Sequence, residues 1–182
     1  MGAPHMFDFD ALVNDHKGKA NQHIADIDER GQCLTFFLGD CVFGIDIKHV
    51  REILEFKEFL SIPAVPEFFR GVMDLRGRPI PIIDLSVRFH NKLSEITKFT
   101  CIVIVNLETD NGQLEMGLII DNVKEVIELD QNNLQDAPSF GNKIDTKFIS
   151  GMTKVDDKFV VILDIDHVLP QEHVDIVSSS IN

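Results

Sequence analysis

The sequence predicts a mainly β protein made of two copies of one small barrel-type unit, and two observations predict it. A pattern recurs: residues 43–53 align without gaps on residues 116–126, and residues 71–85 on residues 151–165. The strand-like runs are also short, spaced at about 8–12 residues and separated by tight turns, as in barrels rather than helix-alternating sheets. With 182 residues and 44% hydrophobic content, the chain suits one compact domain or two small subdomains sharing a core.

The elements are read in order. Met1-Gly2-Ala3-Pro4-His5-Met6 reads as an expression-vector scar, which removes His5 from any site argument. Residues 7–30 are polar with scattered apolar positions, and the whole of 1–30 reads as scar plus mobile tail. Residues 33–38 and 41–47 are strands joined by Gly39-Asp40, a Gly-X hairpin turn. In 48–54, Val50, Ile53 and Leu54 stand at helical spacing, which fits a short helical turn or an irregular connection. Pro63 and Pro66 bracket a loop, and Glu67-Phe68-Phe69 turns into the strand 71–75. A tight Arg76-Gly77-Arg78 turn leads to the strand 79–85. Pro79 and Pro81 lack donors on the same side of that strand, so it is expected to be an edge there, whereas Phe159 and Val161 in the second copy can donate.

The second unit, built mainly from about 99–164, opens with strand 99–107, whose Ile102-Val103-Ile104-Val105 run is β-branched throughout. Asn111-Gly112 marks its hairpin turn, strands 113–120 and 123–129 follow, and residues 130–147 form a long polar loop. Strands 148–155 and 158–164 flank the Asp156-Asp157 turn, a short helix over 164–169 closes the domain 31–170, and 171–182 reads as a loose tail.

Composition excludes several function classes. Thirty acidic against seventeen basic residues give a net charge of −13 with no basic stripe, which disfavours nucleic acid and anionic membranes as partners. No apolar run reaches the ~18 residues of a membrane span, and the start lacks a secretory layout, so the cytoplasm is the expected location. Cys33, Cys41 and Cys101 lack metal-ligand spacing and read as buried reduced thiols.

Catalytic motifs are absent: no phosphate-binding glycine loop, nucleophile elbow, zinc-helix motif or Cys-x-x-Cys. His16, His23, His49, His90, His167 and His173 are scattered and read as solvated or satisfied histidines, and no metal or cofactor is implied. Asp46, Asp74, Asp84 and Asp164 fall at strands or strand ends. Asp84 and Asp164 are equivalent in the repeat and read as caps of helical turns rather than as a catalytic pair. Gly44 and Gly117, and Gly71 and Gly151, are equivalent too and mark bulges, corners or close backbone approaches. Glu52 has a counterpart in Glu125, but Arg76 has none, because Asp156 stands in its place. An arginine in an apolar strand-to-turn setting pairs with a carboxylate, offers a planar fork to a partner, or simply stands in solvent on its turn, and the first two make this divergence the place to look for function.

These residues resemble a CheW-type domain, the adaptor fold of bacterial chemosensory arrays. The likeness is carried by Leu34-Thr35-Phe36, Gly44-Ile45-Asp46-Ile47, Val50-Arg51-Glu52-Ile53 and Ile62-Pro63, by the segments 71–77 and 81–85, and by 117–123 and Phe148-Ile149-Ser150-Gly151, in order across about 32–170. The resemblance implies two intertwined five-stranded SH3-like barrels with an apolar core between them. It further implies a non-catalytic adaptor and scaffold of a two-component chemotaxis pathway, cytoplasmic at membrane-associated receptor arrays. The implied partners are the cytoplasmic tip of chemoreceptors and the regulatory domain of the CheA histidine kinase. The receptor groove would involve Val50, Glu52, Ile53, Gly71 and Arg76, with Glu52 and Arg76 as an ion pair. Gly44, Gly77, Asp84, Gly117, Gly151 and Asp164 would hold turns and caps. Asp74 stands where the family often has Asn and adds a charge able to compete with Glu52 for Arg76.

Two rivals stand beside this reading. One is the amino-terminal module of a receiver-carrying adaptor of the CheV type. The other is a barrel enzyme or small-ligand carrier, which should gather convergent polar groups in one apolar pocket.

Overall fold

The computed structural model of the protein describes residues 30–90, 92–136, 144–169 and 171–180. The scar and tail expected over 1–30 therefore lie, Arg30 apart, outside the described residues. The strands are β1 (Arg30–Leu38), β2 (Cys41–Asp46), β3 (Val50–Glu55), β4 (Phe69–Leu75), β5 (Arg78–Asp84), β6 (Cys101–Thr109), β7 (Gly112–Ile120), β8 (Asn122–Asp130), β9 (Ile149–Val155) and β10 (Lys158–Leu163). Helix α1 (Leu85–His90) follows β5, and α2 (Gln171–Ser180) ends the described chain. The loose tail expected from 171 is thus helical up to Ser180, because Val174 and Val177 bury their side chains in the main core.

The strands form two five-stranded sheets, ordered β8-β1-β2-β10-β9 and β3-β6-β7-β5-β4. Replacing each strand by its repeat counterpart, β1 with β6 through to β5 with β10, converts one order into the other. The repeats have therefore exchanged strands: β1 and β2 share a sheet with β8, β9 and β10, while β6 and β7 share one with β3, β4 and β5. The expectation of a second unit built mainly from 99–164 misplaces β8, β9 and β10. The joints of the exchange are two parallel ladders, β2 with β10 over Val42–Gly44 and β5 with β7 over Gly117–Ile119.

Each sheet curls until its edges meet. The chain leaving β3 returns at Leu60, whose N–H donates to the Val72 carbonyl of β4 at 2.9 Å and whose carbonyl accepts from Val72 N–H at 2.8 Å. Gln135 and Met152 make the equivalent reciprocal pair at 2.8 Å each way for the β1 barrel. Glycines permit both closures: a Cβ on Gly71, at φ +154°, would stand 2.1 Å from the Leu60 carbonyl oxygen, and one on Gly151 would meet Leu134 at 3.2 Å. The parallel joints use Gly44, paired with Ile162, and Gly117, paired with Ile82; a Cβ there would come within 2.9 Å and 2.7 Å of those isoleucines.

Two-sided burial explains the apolar runs. In β6, Val103 and Val105 enter the large core between the barrels, whereas Ile102 and Ile104 fill the β6 barrel with Met73, Ile80, Ile82 and Ile119. The β1 barrel holds a smaller core of Cys33, Leu129, Val160 and Ile162. At about 1.5–3 kcal/mol for each fully buried large aliphatic or aromatic side chain, the shared core is the largest stabilising block.

Several local expectations change. Residues 48–54 are not one helical turn: a 3-10 turn at Ile47–His49, capped by the Asp46 carboxylate accepting from Lys48 N–H, leads straight into β3. Pairing slips between Val50 and Glu52, so Arg51 is bulged out, and the extra residue lets Val50 and Ile53 face the same core three positions apart. That spacing imitates a helix. The β6–β7 turn is Asp110-Asn111, one residue earlier than expected, with Gly112 opening β7 at φ 110°. Cys41 is exposed as the first residue of β2, whereas Cys33 and Cys101 are buried, which pushes their thiols up to about 12 and about 11. The proline reading matches the ladders: β5 pairs with β7 only from Ile82 onward, while β10 pairs with β2 already from Val160, equivalent to Ile80.

Substituting Gly71→Ala should weaken the protein by about 2–4 kcal/mol in urea unfolding followed by circular dichroism, because the new methyl displaces the backbone bridge at Leu60. Gly31→Ala, with nothing near its Cβ, should change stability by less than about 0.5 kcal/mol.

Candidate functional site

β3 and β4 are the opposite edges of the β6 sheet, and curling brings Glu52 of β3 to the turn after β4. There Arg76 donates from Nη1 to Glu52 Oε2 at 2.9 Å and from Nη2 to Oε1 at 2.7 Å, a two-pronged fork across the barrel mouth. The Arg76 side chain remains 67% exposed and that of Glu52 24%. The hydrogen bond from Arg76 is the largest influence holding the Glu52 carboxyl below its usual range. Asp74 has a separate task, since its Oδ1 accepts from Gly77 N–H at 2.8 Å and fastens the turn.

The turn is a left-handed one. Arg76 and Gly77 take φ 53° and 80°, and Asp156 and Asp157 take 49° and 63° in the second copy. Aspartate tolerates this backbone better than arginine, whose Cβ carries a cost of about 1 kcal/mol there. Arginine therefore sits on this turn for what its side chain reaches.

Next to the fork lies an open groove of about 650 Å³ whose walls include Phe59, Leu60, Val72 and Pro79. Leu60 is 74% exposed, an unusual position for a large aliphatic side chain. The other expected groove residues are inside: Ile53 is buried in the shared core, Val50 is half-buried against it, and Gly71 is buried beneath Leu60. Of the five, Glu52 and Arg76 come together at the surface, and the other three do not line the groove.

The two predicted caps differ. Asp84 is fully buried; its Oδ1 accepts from Ser86 N–H at 2.9 Å and from Val87 N–H at 3.3 Å, capping α1, while its Oδ2 accepts from Arg70 at 2.9 Å. Ser94 binds it twice more, from N–H at 3.0 Å and Oγ at 2.7 Å. Asp164 makes no side-chain cap: its carboxylate turns to His167 Nδ1 at 2.7 Å, because an imidazole stands where Val87 occurs in the first copy.

Arg88 was not singled out by any motif. Its guanidinium lies 5.1 Å from the Phe68 ring centroid and 4.5 Å from that of Phe148, and its Nε donates to the Val168 carbonyl at 2.9 Å. Phe68 and Phe148 are repeat equivalents, as are Arg88 and Val168, so this arginine lies where the two copies meet. The only sequence signal was an arginine at an otherwise apolar repeat position.

Among the described residues, no three His, Cys, Asp or Glu side chains converge to hold a metal ion. Exchanged five-stranded barrels with an ion pair and an apolar groove at one mouth define a double-barrel protein of the SH3-like type. The chain belongs to the CheW-like domain family, which matches residues 32–173. It is 31% identical to the chemotaxis protein CheW of Klebsiella aerogenes over 146 residues, 80% of this chain and 86% of that one. It is 33% identical to CheW of Treponema pallidum over 142 residues, 76% of this chain and 81% of that one. The crystal structure of the scaffolding protein TtCheW from Thermoanaerobacter tengcongensis superimposes with a TM-score of 0.73 at 32% identity, covering 83% of this chain and 95% of that chain.

Removing the fork should cost little stability. Arg76→Ala is expected to lower it by less than about 1 kcal/mol, since the pair is exposed to solvent. The sign of its pH dependence is set by Glu52, whose depressed carboxyl stabilises the fold above its ordinary value of 4.5 and loses that contribution as pH falls through the lower folded value. The difference between wild type and Arg76→Ala should accordingly shrink on acidification, and carboxyl-detected NMR should show Glu52 titrating higher in the variant.

Proposed function

We propose that this chain is a non-catalytic coupling adaptor of a bacterial chemosensory array, joining the cytoplasmic tips of chemoreceptors to the regulatory domain of a CheA-type histidine kinase. It would work in the cytoplasm at receptor arrays. Among the described residues no helix is long and apolar enough to cross a membrane, which fits recruitment through protein contacts. Family membership supports the reading, and the observation that carries it is the Arg76–Glu52 fork held on a strained turn beside an exposed apolar groove. An arginine whose fork is fixed in advance loses little freedom on docking, and arginines beside apolar pockets are frequent anchors of interfaces. The receptor tip would use this mouth, with Val50, Ile53 and Gly71 shaping it from behind. The relatives named above are CheW chemotaxis proteins that this chain spans over 86% and 81% of their length, which favours this role over a receiver-carrying adaptor.

Such an adaptor transmits a signal because occupancy by one partner alters affinity for the other, a coupling of about 1–3 kcal/mol in allosteric systems. In calorimetric titrations against a receptor-tip fragment and a kinase regulatory domain, wild type should bind both. Arg76→Ala should weaken the receptor isotherm about tenfold or more and leave the kinase isotherm within about twofold. An unchanged receptor isotherm would separate Arg76 from docking, and failure of wild type to bind either partner would remove the adaptor role.

A further inference from the structure

A second depression meets the groove at Pro79 and runs past Arg51, Arg78, Asn106 and Gln113. Resting on the adaptor reading, the geometry points to this cleft as a carboxylate site: Arg51 and Arg78 take an acidic side chain of the receptor-side protein while its apolar stripe lies on Leu60 and Phe59.

Four observations carry this. The chain has a net charge of −13, yet one barrel mouth gathers Arg51, Arg76 and Arg78, with Lys57 near enough to act on the Glu52 carboxyl. Two of these four cations are matched, Arg76 by Glu52 and Arg78 by Glu115, and among the described residues Arg51 and Lys57 form no ion pair. The exposed Arg51 side chain has no hydrogen bond or ion pair among the described residues, and the β3 bulge is what turns it out of the ladder. Finally, Asn106 at the cleft wall donates from Nδ2 to Gln113 at 2.8 Å, and its buried Oδ1 has no hydrogen-bond partner among the described residues.

Charge complementarity chooses the occupant. The cleft is lined by two guanidiniums and one carboxylate, Arg51 and Arg78 against Glu115, and such an excess on an acidic protein attracts an acidic segment, an effect that falls mainly on encounter rate and specificity. An acidic amphipathic helix matches both halves of the surface, apolar at the groove and anionic at the cleft.

The test uses the full chain and a chemoreceptor-tip fragment as probe, with affinity measured at about 0.05 M and 0.5 M salt, a range over which surface charges become screened. Arg51→Glu should weaken binding about tenfold at low salt and much less at high salt, Arg51→Lys should keep most of the affinity, and Arg78→Gln should weaken it by a few-fold. Binding to the kinase regulatory domain and the unfolding midpoint should be unchanged. Equal affinities of Arg51→Glu and wild type at low salt overturn the carboxylate site while the adaptor role stands. A loss that persists undiminished at high salt, or one shared by the kinase domain, also overturns it. No binding of the tip by wild type overturns both readings.

Discussion

The fold depends on the two parallel joints at which the repeats exchange strands, β2 with β10 and β5 with β7. At each joint a glycine faces an isoleucine, Gly44 against Ile162 and Gly117 against Ile82. The missing side chain lets the partner isoleucine enter the barrel core at a distance no Cβ would allow. Each five-stranded sheet takes two strands from one repeat and three from the other, so each barrel contains parts of both copies. The large core between them is the consequence, since exchanged strands carry apolar residues on both faces.

Within this shared frame the copies diverge in chemistry and not in backbone. The Arg76-Gly77 and Asp156-Asp157 turns have the same handedness, and the closing bridges at Leu60 and Gln135 are equivalent. What differs is what the side chains do. One mouth carries a forked ion pair, whereas the counterpart of Glu52, Glu125, approaches Lys124 at 3.9 Å. One aspartate is buried with five donors around it, and the other pairs with a solvent-exposed histidine. A duplicated scaffold thus holds two barrel ends with different ion pairing.

Arg88 links this asymmetry to the core. It stands between Phe68 and Phe148, and burial depresses its pKa even though the guanidinium remains a cation. Asp145 acts on Arg88 in the opposite sense, and the flanking rings supply a weak electrostatic partner in a region with few polar groups. One unpaired copy of a repeat position serves both halves where they meet.

Much was determined by the sequence alone. The gapless repeat specified two like units, glycine pairs marked the tight approaches, Pro79 and Pro81 located the stretch of β5 without a second partner, and the Arg76-to-Asp156 replacement pointed to the barrel mouth that carries the Arg76–Glu52 fork. These features are local, because each depends on what one backbone segment can or cannot adopt. Tertiary structure alone decided that the units exchange strands, since parallel pairing joins residues far apart and leaves no turn signal. It also decided that Val50 and Ile53 share a face through a bulge, that residues 171–180 are helical, and that Arg51 has no side-chain partner among the described residues. In each of these cases the outcome depends on which distant surface covers the segment, a quantity that nearest neighbours in sequence do not contain.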